Sequence, residues 1–242
     1  MASGKKIVLK KSYKKRVEDW FRTKERLEER RGMKFHADRV FHSPEAPSTR
    51  NFFSYQSATG VDFEKLFKGK RVLDVGCGMG IFVKQAMEKE ILAEGIDPMA
   101  LRSNEHIHRI HLDEFNPKHK YSCVVSMFGL PFYSSNAYNV RLSLYQMLRL
   151  VEPGGMLVIH PWHPEKPKDR SARAMWAITD STLRKLKLLG FELEFKPPTY
   201  HPDYMTLIIK KTDEIQVMAL GQRLGIVESI EELRKKSSTQ HK

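Results

Sequence analysis

An apolar run, VLDV at residues 72–75, gives way to glycine at every second position in GCGMG, residues 76–80. No other stretch limits the fold of this chain so strongly. A strand that ends in glycines and leads into a helical pattern (GIFVKQAMEKE, 80–90) is a strand-to-helix turn, where the first helical N–H groups are unpaired and the helix dipole is positive. Removing Cβ at Gly76, Gly78 and Gly80 lets a ligand lie directly on the backbone. The turn sits at the carboxyl edge, where open α/β sheets bind their ligands. Spacing separates the chemistries that use such a loop. A phosphate-cradling loop needs Gly-Lys-Ser/Thr after four spacers, which is lacking here, and the dinucleotide pattern G-x-G-x-x-G needs glycine where this chain has Ile81. What remains is Asp-x-Gly-x-Gly-x-Gly, beginning at Asp74.

Strands and helices alternate on either side of that turn. RVLDV (71–75), ILAEGID (91–97), HIHRIHL (106–112), YSCVVSM (121–127) and MLVIH (156–160) read as strands. The helix at 80–90 buries Val83, Ala86 and Met87 in this reading, and NVRLSLYQMLRLV (139–151) buries Val140, Leu144, Met147, Leu148 and Val151 before PGG (153–155) stops it. DSTLRKLKLLG (180–190) is a further helix, and FELEF (191–195) and YMTLIIKK (204–211) close the set as strands that can pair antiparallel at an edge. Strands alternating with helices of this length predict a mostly parallel sheet covered on both faces. Before it, Ser12 caps a helix ending at Gly32 with Val17, Trp20, Phe21 and Leu27 on one side, and 41–60 reads as a linker or lid. After it, SIEELRKK within 213–242 reads as a short helix.

Charge and cysteine use narrow the setting. The net charge of +13 is concentrated at the start, where residues 1–50 hold 15 Lys and Arg against 7 Asp and Glu. Such a field attracts polyanions, RNA or another anionic partner through residues 1–31, unless the arm only aids solubility. No apolar run approaches the roughly 20 residues that cross a bilayer, and the basic start lacks the apolar core of a secretory signal and is rich in Lys rather than the Arg of transit peptides. Cys77 and Cys123 have no framework spacing, so reduced thiols in a cytoplasmic protein are expected.

VLDVGCGMG resembles motif I of the class I S-adenosylmethionine-dependent methyltransferases, and other segments follow in that family's order. ILAEGID ends in Asp97, LRLVEPGGMLVI matches the helix, turn and fifth strand, and LGFELEF with YMTLIIKK resembles the last helix and terminal hairpin, so the match spans about 68–212. The resemblance implies a Rossmann-like α/β fold with a seven-stranded, mostly parallel sheet, helices on both faces and the last strand antiparallel. It implies residues 61–212 as the S-adenosylmethionine-binding domain, 1–60 as a basic extension and 213–242 as a helical tail. The implied cofactor residues are Asp74, Gly76, Cys77, Gly78, Gly80, Asp97, Pro98, Met99, Asp113 and Met127. Asp97 takes the place of the acid that holds both ribose hydroxyls, a task suited to a carboxylate's acceptor capacity, with Met99 beside it for adenine. Asp113 stands where the family contacts the adenine amino group, and Cys77 contributes its backbone rather than its sulfur.

Departures from the family pattern restrict the acceptor chemistry. Strand four begins Tyr121-Ser122 rather than Phe-Asp and does not end in Asn/Asp-Pro-Pro-Tyr, against the route that methylates base amino groups; neither cysteine lies in a Pro-Cys context, against covalent catalysis. The loops MFGLPFYSSN and HPWHPEKP follow strands four and five and supply the acceptor-side candidates Phe128, Tyr133, His160 and Trp162. His160 is the candidate base, because an imidazole with a pKa near 6.5 suits proton removal. Tyr133 and Trp162 either sandwich a planar acceptor or close the core. His106 and His108 lack a third ligand, so no metal is expected. Three readings stay open: a methyltransferase acting on RNA or another polyanion, a small-molecule methyltransferase with 41–60 as lid, and a non-catalytic module of the same fold.

Overall fold

The chain is described by a computed structural model over residues 51–98, 100, 103–127, 137–162, 180–196 and 205–226. The expected helices in 12–32 and 229–236 lie outside these residues, as do Met99, Phe128 and Tyr133. β1 (Arg71–Val75) is buried on both faces from Val72 onward, as a strand inside a parallel sheet must be. It pairs in parallel with β2 (Leu92–Ile96) on one side and β4 (Tyr121–Met127) on the other. β3 (Ile107–His108) extends the sheet beyond β2, and β5 (Val151–Trp162) lies beyond β4, both parallel. β7 (Met205–Lys210) then runs antiparallel between β5 and β6 (Glu192–Lys196). The order β3-β2-β1-β4-β5-β7-β6 gives the seven-stranded, mostly parallel sheet expected from the sequence, with its antiparallel strand at one end.

Period-two alternation sends neighbouring side chains of each strand to opposite faces. On one face Leu73, Val124, Leu157, Ile159, Leu207 and Ile209 meet α4 (Ala137–Leu150), α5 (residues 180–188) and α6 (Glu214–Arg223) through Leu144, Met147, Leu148, Leu186, Val217 and Leu220. On the other, Val72, Cys123, Val125, Met127, Val158 and Ile208 meet α1 (Phe52–Thr59), α2 (Phe63–Phe67) and α3 (Ile81–Glu88).

Three local expectations change. The 41–60 segment contains α1, capped by the Asn51 side chain on the Ser54 amide and stopped by Gly60 at φ 63°. Its Phe52, Tyr55 and Ala58 are buried, because residues spaced three apart share a helix face. The third strand shrinks to two residues. PGG does not precede strand five but lies within it: the β4–β5 register shifts between Tyr121 and Cys123, so Glu152–Gly155 form an irregular stretch between the paired Val151 and Met156. In α3 the buried set is Phe82, Val83 and Ala86, while Met87 is partly exposed.

At the sheet end opposite the glycine turn, the Lys211 side chain is fully buried. Its Nζ donates to the Val151 carbonyl at 2.5 Å and to Glu214 Oε1 at 2.6 Å, and Glu214 also meets Lys120 at 2.5 Å. Burial lowers the Lys211 pKa to about 8, against the opposing pull of Glu214. A folded-state value below the unfolded one means that the unfolded chain binds more protons between pH 8 and 10.5. The native protein should therefore gain stability over Lys211→Met across that window, at no more than about 1.4 kcal/mol per pH unit. Urea unfolding of both proteins at several pH values measures this difference, from which the buried Cys123 and tyrosines, common to both, cancel.

Candidate functional site

The glycine turn crosses the carboxyl ends of β1 and β2. Gly76, Gly78 and Gly80 have φ of 82°, 56° and 72°, the left-handed region that residues with Cβ enter at a cost. The Gly76 and Cys77 amides both donate to the Ile96 carbonyl, at 2.8 and 3.2 Å, and the Gly80 amide closes the turn onto Cys77 O at 2.9 Å. Gly80 then caps α3 with no side chain. A Cβ there would lie 2.0 Å from Ile107 Cδ1 and 2.9 Å from its Cγ1, so glycine is set by packing as well as by φ.

Asp97 follows β2 and is held from both directions. Its own amide donates to the His108 carbonyl of β3 at 3.1 Å, and its Oδ2 accepts the Gly78 amide at 2.9 Å. Asp97 is half-buried at the turn, and a carboxylate has about four acceptor positions. Three glycines in left-handed backbone with a carboxylate on the central one fit a ligand that offers hydroxyl donors beside a close-lying chain.

Asp74 and Cys77 face inward. Asp74 is fully buried, and its Oδ2 accepts from the Tyr55 hydroxyl of α1 at 2.9 Å. The Tyr55 ring stacks on Phe82, the second residue of α3, with centroids 4.1 Å apart and planes at 14°. Phe52 stacks on the same ring at 5.7 Å, and Phe63 meets it edge-on at 5.3 Å, contacts worth about 0.5–1.5 kcal/mol each beyond area burial. The helix start that follows the glycines is thus clamped by α1. Cys77 is buried against Gly95 of β2, where an added Cβ would be 2.7 Å from Sγ and 2.8 Å from Cβ of Cys77. Ser126 ties the neighbouring strand to the same place, its buried hydroxyl donating to Val75 O at 3.1 Å.

The remaining predicted residues distribute as follows. Pro98 is half-buried next to Asp97, and its carbonyl accepts Arg109 Nε at 3.4 Å. Asp113 is exposed in the turn after β3. Met127 is buried at the end of β4 and pairs in register with His160, two residues before the end of β5. His160 is buried, with Nδ1 3.0 Å from the Thr206 hydroxyl of β7. The β5–β7 pairing is irregular between Ile159 and Trp162, and Trp162 lies in the same core cluster as Ile159. There Trp162 is buried in the core beside Phe195, at 6.2 Å. Burial holds the Cys123 thiol far above its ordinary pKa, with the Asp74 charge adding to the effect, so it is not a thiolate nucleophile. His108 turns to Glu94 Oε2 at 3.3 Å, and Glu94 also receives His119 at 2.8 Å and the Tyr121 hydroxyl at 3.1 Å.

Sequence reasoning missed Tyr55, Gly95, Ser126 and Thr206. Gly95 alone carried a local signal, since glycine inside a strand marks a close backbone approach. No helix among the described residues is long and apolar enough to cross a membrane.

The family described as "Methyltransferase domain" matches residues 49–188. No curated protein matches the sequence. The fold is similar to that of the plantazolicin methyltransferase BpumL, whose crystal structure holds a triazolic desmethylPZN analog and SAH; the TM-score is 0.50 at 12% identity over 72% of this chain and 88% of that one. It is similar also to Streptomyces venezuelae DesVI, with a TM-score of 0.48 at 15% identity over 74% of this chain and 99% of that one. The N-methyltransferase NodS from Bradyrhizobium japonicum WM9, in complex with SAH, has a TM-score of 0.44 at 15% identity over 72% of this chain and 91% of that one.

Proposed function

We propose, because the chain belongs to the methyltransferase-domain family, that it transfers a methyl group from S-adenosylmethionine to an acceptor held over the carboxyl ends of β4 and β5. The observation that carries the reading is the Asp97 carboxylate seated on the Gly78 amide beside three left-handed glycines. S-adenosylmethionine is the cofactor, and when bound it supplies a sulfonium methyl whose departure leaves a neutral thioether.

The protein's share of the work is placement. Gly76, Gly78 and Gly80 give the ligand bare main chain to lie on, Asp97 accepts from the ribose hydroxyls, and Pro98 and Met99, next in sequence, cover the base. Holding donor and acceptor in line is worth on the order of 7–11 kcal/mol at best, so no nucleophilic side chain is required. A base is needed only where the acceptor loses a proton; His160, near the end of β5, is the residue that takes it.

The concentration of positive charge in residues 1–50 supports an anionic acceptor, with RNA as the polymer of choice, the arm raising local concentration through a salt-dependent field. One experiment addresses both parts. The full chain is incubated with S-adenosylmethionine labelled in the methyl group, with and without bulk RNA. Label should be retained by the protein, be displaced by S-adenosylhomocysteine but not by a nicotinamide dinucleotide, and pass to RNA at low salt. No retained label, or displacement by the nicotinamide, overturns the donor assignment; retention without transfer to RNA overturns the acceptor.

A further inference from the structure

Three elements meet at Thr206. Its side chain is fully buried on β7, its hydroxyl lies 3.2 Å from the Ala58 carbonyl of α1, and the same oxygen lies 3.0 Å from His160 Nδ1 on β5. A hydroxyl has one proton to give. A backbone carbonyl can only accept, so the Thr206 proton goes to Ala58 O. The Thr206 oxygen then serves His160 as an acceptor, and the partner proton sits on Nδ1.

We infer that Thr206 is a positioning residue that fixes neutral His160 as its Nδ1–H tautomer, making Nε2 the basic nitrogen. This is the reverse of the tautomer that free histidine prefers in water. The arrangement is that of a base oriented from behind, with an uncharged hydroxyl in the orienting role and its own direction set by a helix carbonyl. It deepens the reading above, on which it rests for the role of the base but not for the tautomer. In a transfer to an acceptor X–H, the X–C bond forms as the C–S bond breaks with its electron pair left on sulfur, and the proton of X–H passes to His160 Nε2, giving imidazolium.

Nothing in the geometry requires the donor to be present, so the test is made without it. Long-range 15N–1H NMR of the full, 15N-labelled chain, with His160→Gln to assign the signal, reads each ring nitrogen separately. At a pH of about 8, above the ordinary imidazole value of about 6.5, the native protein should show protonated Nδ1 and unprotonated Nε2. Thr206→Ser keeps the hydroxyl and should keep this pattern. Thr206→Val keeps the shape and removes the acceptor, and should move the tautomer ratio towards Nε2–H by roughly tenfold, the factor one net hydrogen bond supports. An Nε2–H signal in the native protein, or an unchanged ratio in Thr206→Val, overturns the inference. If Thr206→Val does not fold, the native and Thr206→Ser spectra decide it. Failure of donor binding would overturn the proposed function and leave these spectra unaffected.

Discussion

Gly95→Ala should lower the unfolding free energy by about 3 kcal/mol, the upper end of ordinary overpacking, and depress Tm by roughly 6–12 °C in a protein of this size. The added methyl would stand 2.7 Å from Cys77 Sγ, 2.8 Å from Cys77 Cβ and 2.9 Å from Val83 Cγ2. A side-chain rotation can move the sulfur away. It cannot move Cβ, which is fixed to the backbone of the glycine turn, so relief requires the turn to rise from β2. β2 cannot retreat, because Gly95 pairs with Asp74 on one side and Ile107 on the other. The same displacement would strain the Gly76 and Cys77 bonds to Ile96 O and weaken donor binding along with stability. Adding Cys77→Ala to Gly95→Ala removes only the sulfur contact and should restore a minor part of the loss, whereas adding Cys77→Gly should restore more. Thermal and urea unfolding of the single and double variants measure the series. A Gly95→Ala protein as stable as the native one would contradict the packing of the turn on β2.

That contact shows where the sequence is informative and where it stops. Glycines at 76, 78 and 80, an acid at 97 and strands of one period alternating with helices of another are local patterns, each with a local cause, and they are sufficient for the sheet and the position of the turn. The partners of those residues are not local. Tyr55 reaches Asp74 from 19 residues away and Thr206 reaches His160 from 46. Nothing in FFSY or YMTLIIKK sets those residues apart from core filler. The 41–60 segment reads as a linker from its Pro and Ser content, yet Phe52 and Tyr55 form a helix because Phe82 offers them a ring to stack on. The placement of PGG follows the same rule. Glycine and proline end a helix on local grounds, but the parallel pairing of Tyr121 with Val151 extends strand five back past them, a tertiary choice. In α3, periodicity finds the buried face but not its edge, so Met87 is assigned to the core and Phe82, which makes the contacts, is passed over.

The second large effect concerns Asp97, proposed above to accept from the ribose hydroxyls. Each bond from a hydroxyl to a carboxylate is worth about 1.5–3 kcal/mol, so loss of both should weaken donor binding by roughly two orders of magnitude or more. Asp97 also accepts the Gly78 amide, and Asp97→Ala would therefore loosen the turn as well as remove the ribose acceptor. Asp97→Asn separates the two. Its amide oxygen can still accept from Gly78 but has lost the charge that strengthens the hydroxyl bonds, so it should retain the native Tm and lose roughly tenfold in affinity, about one charge-assisted bond. Calorimetric titration of S-adenosylhomocysteine into the native protein, Asp97→Asn and Asp97→Ala makes the most direct test. Binding to the native protein should be of micromolar class, with affinity falling about tenfold in Asp97→Asn and about a hundredfold or more in Asp97→Ala. Equal affinity in all three proteins would contradict the assignment of Asp97 to the ribose.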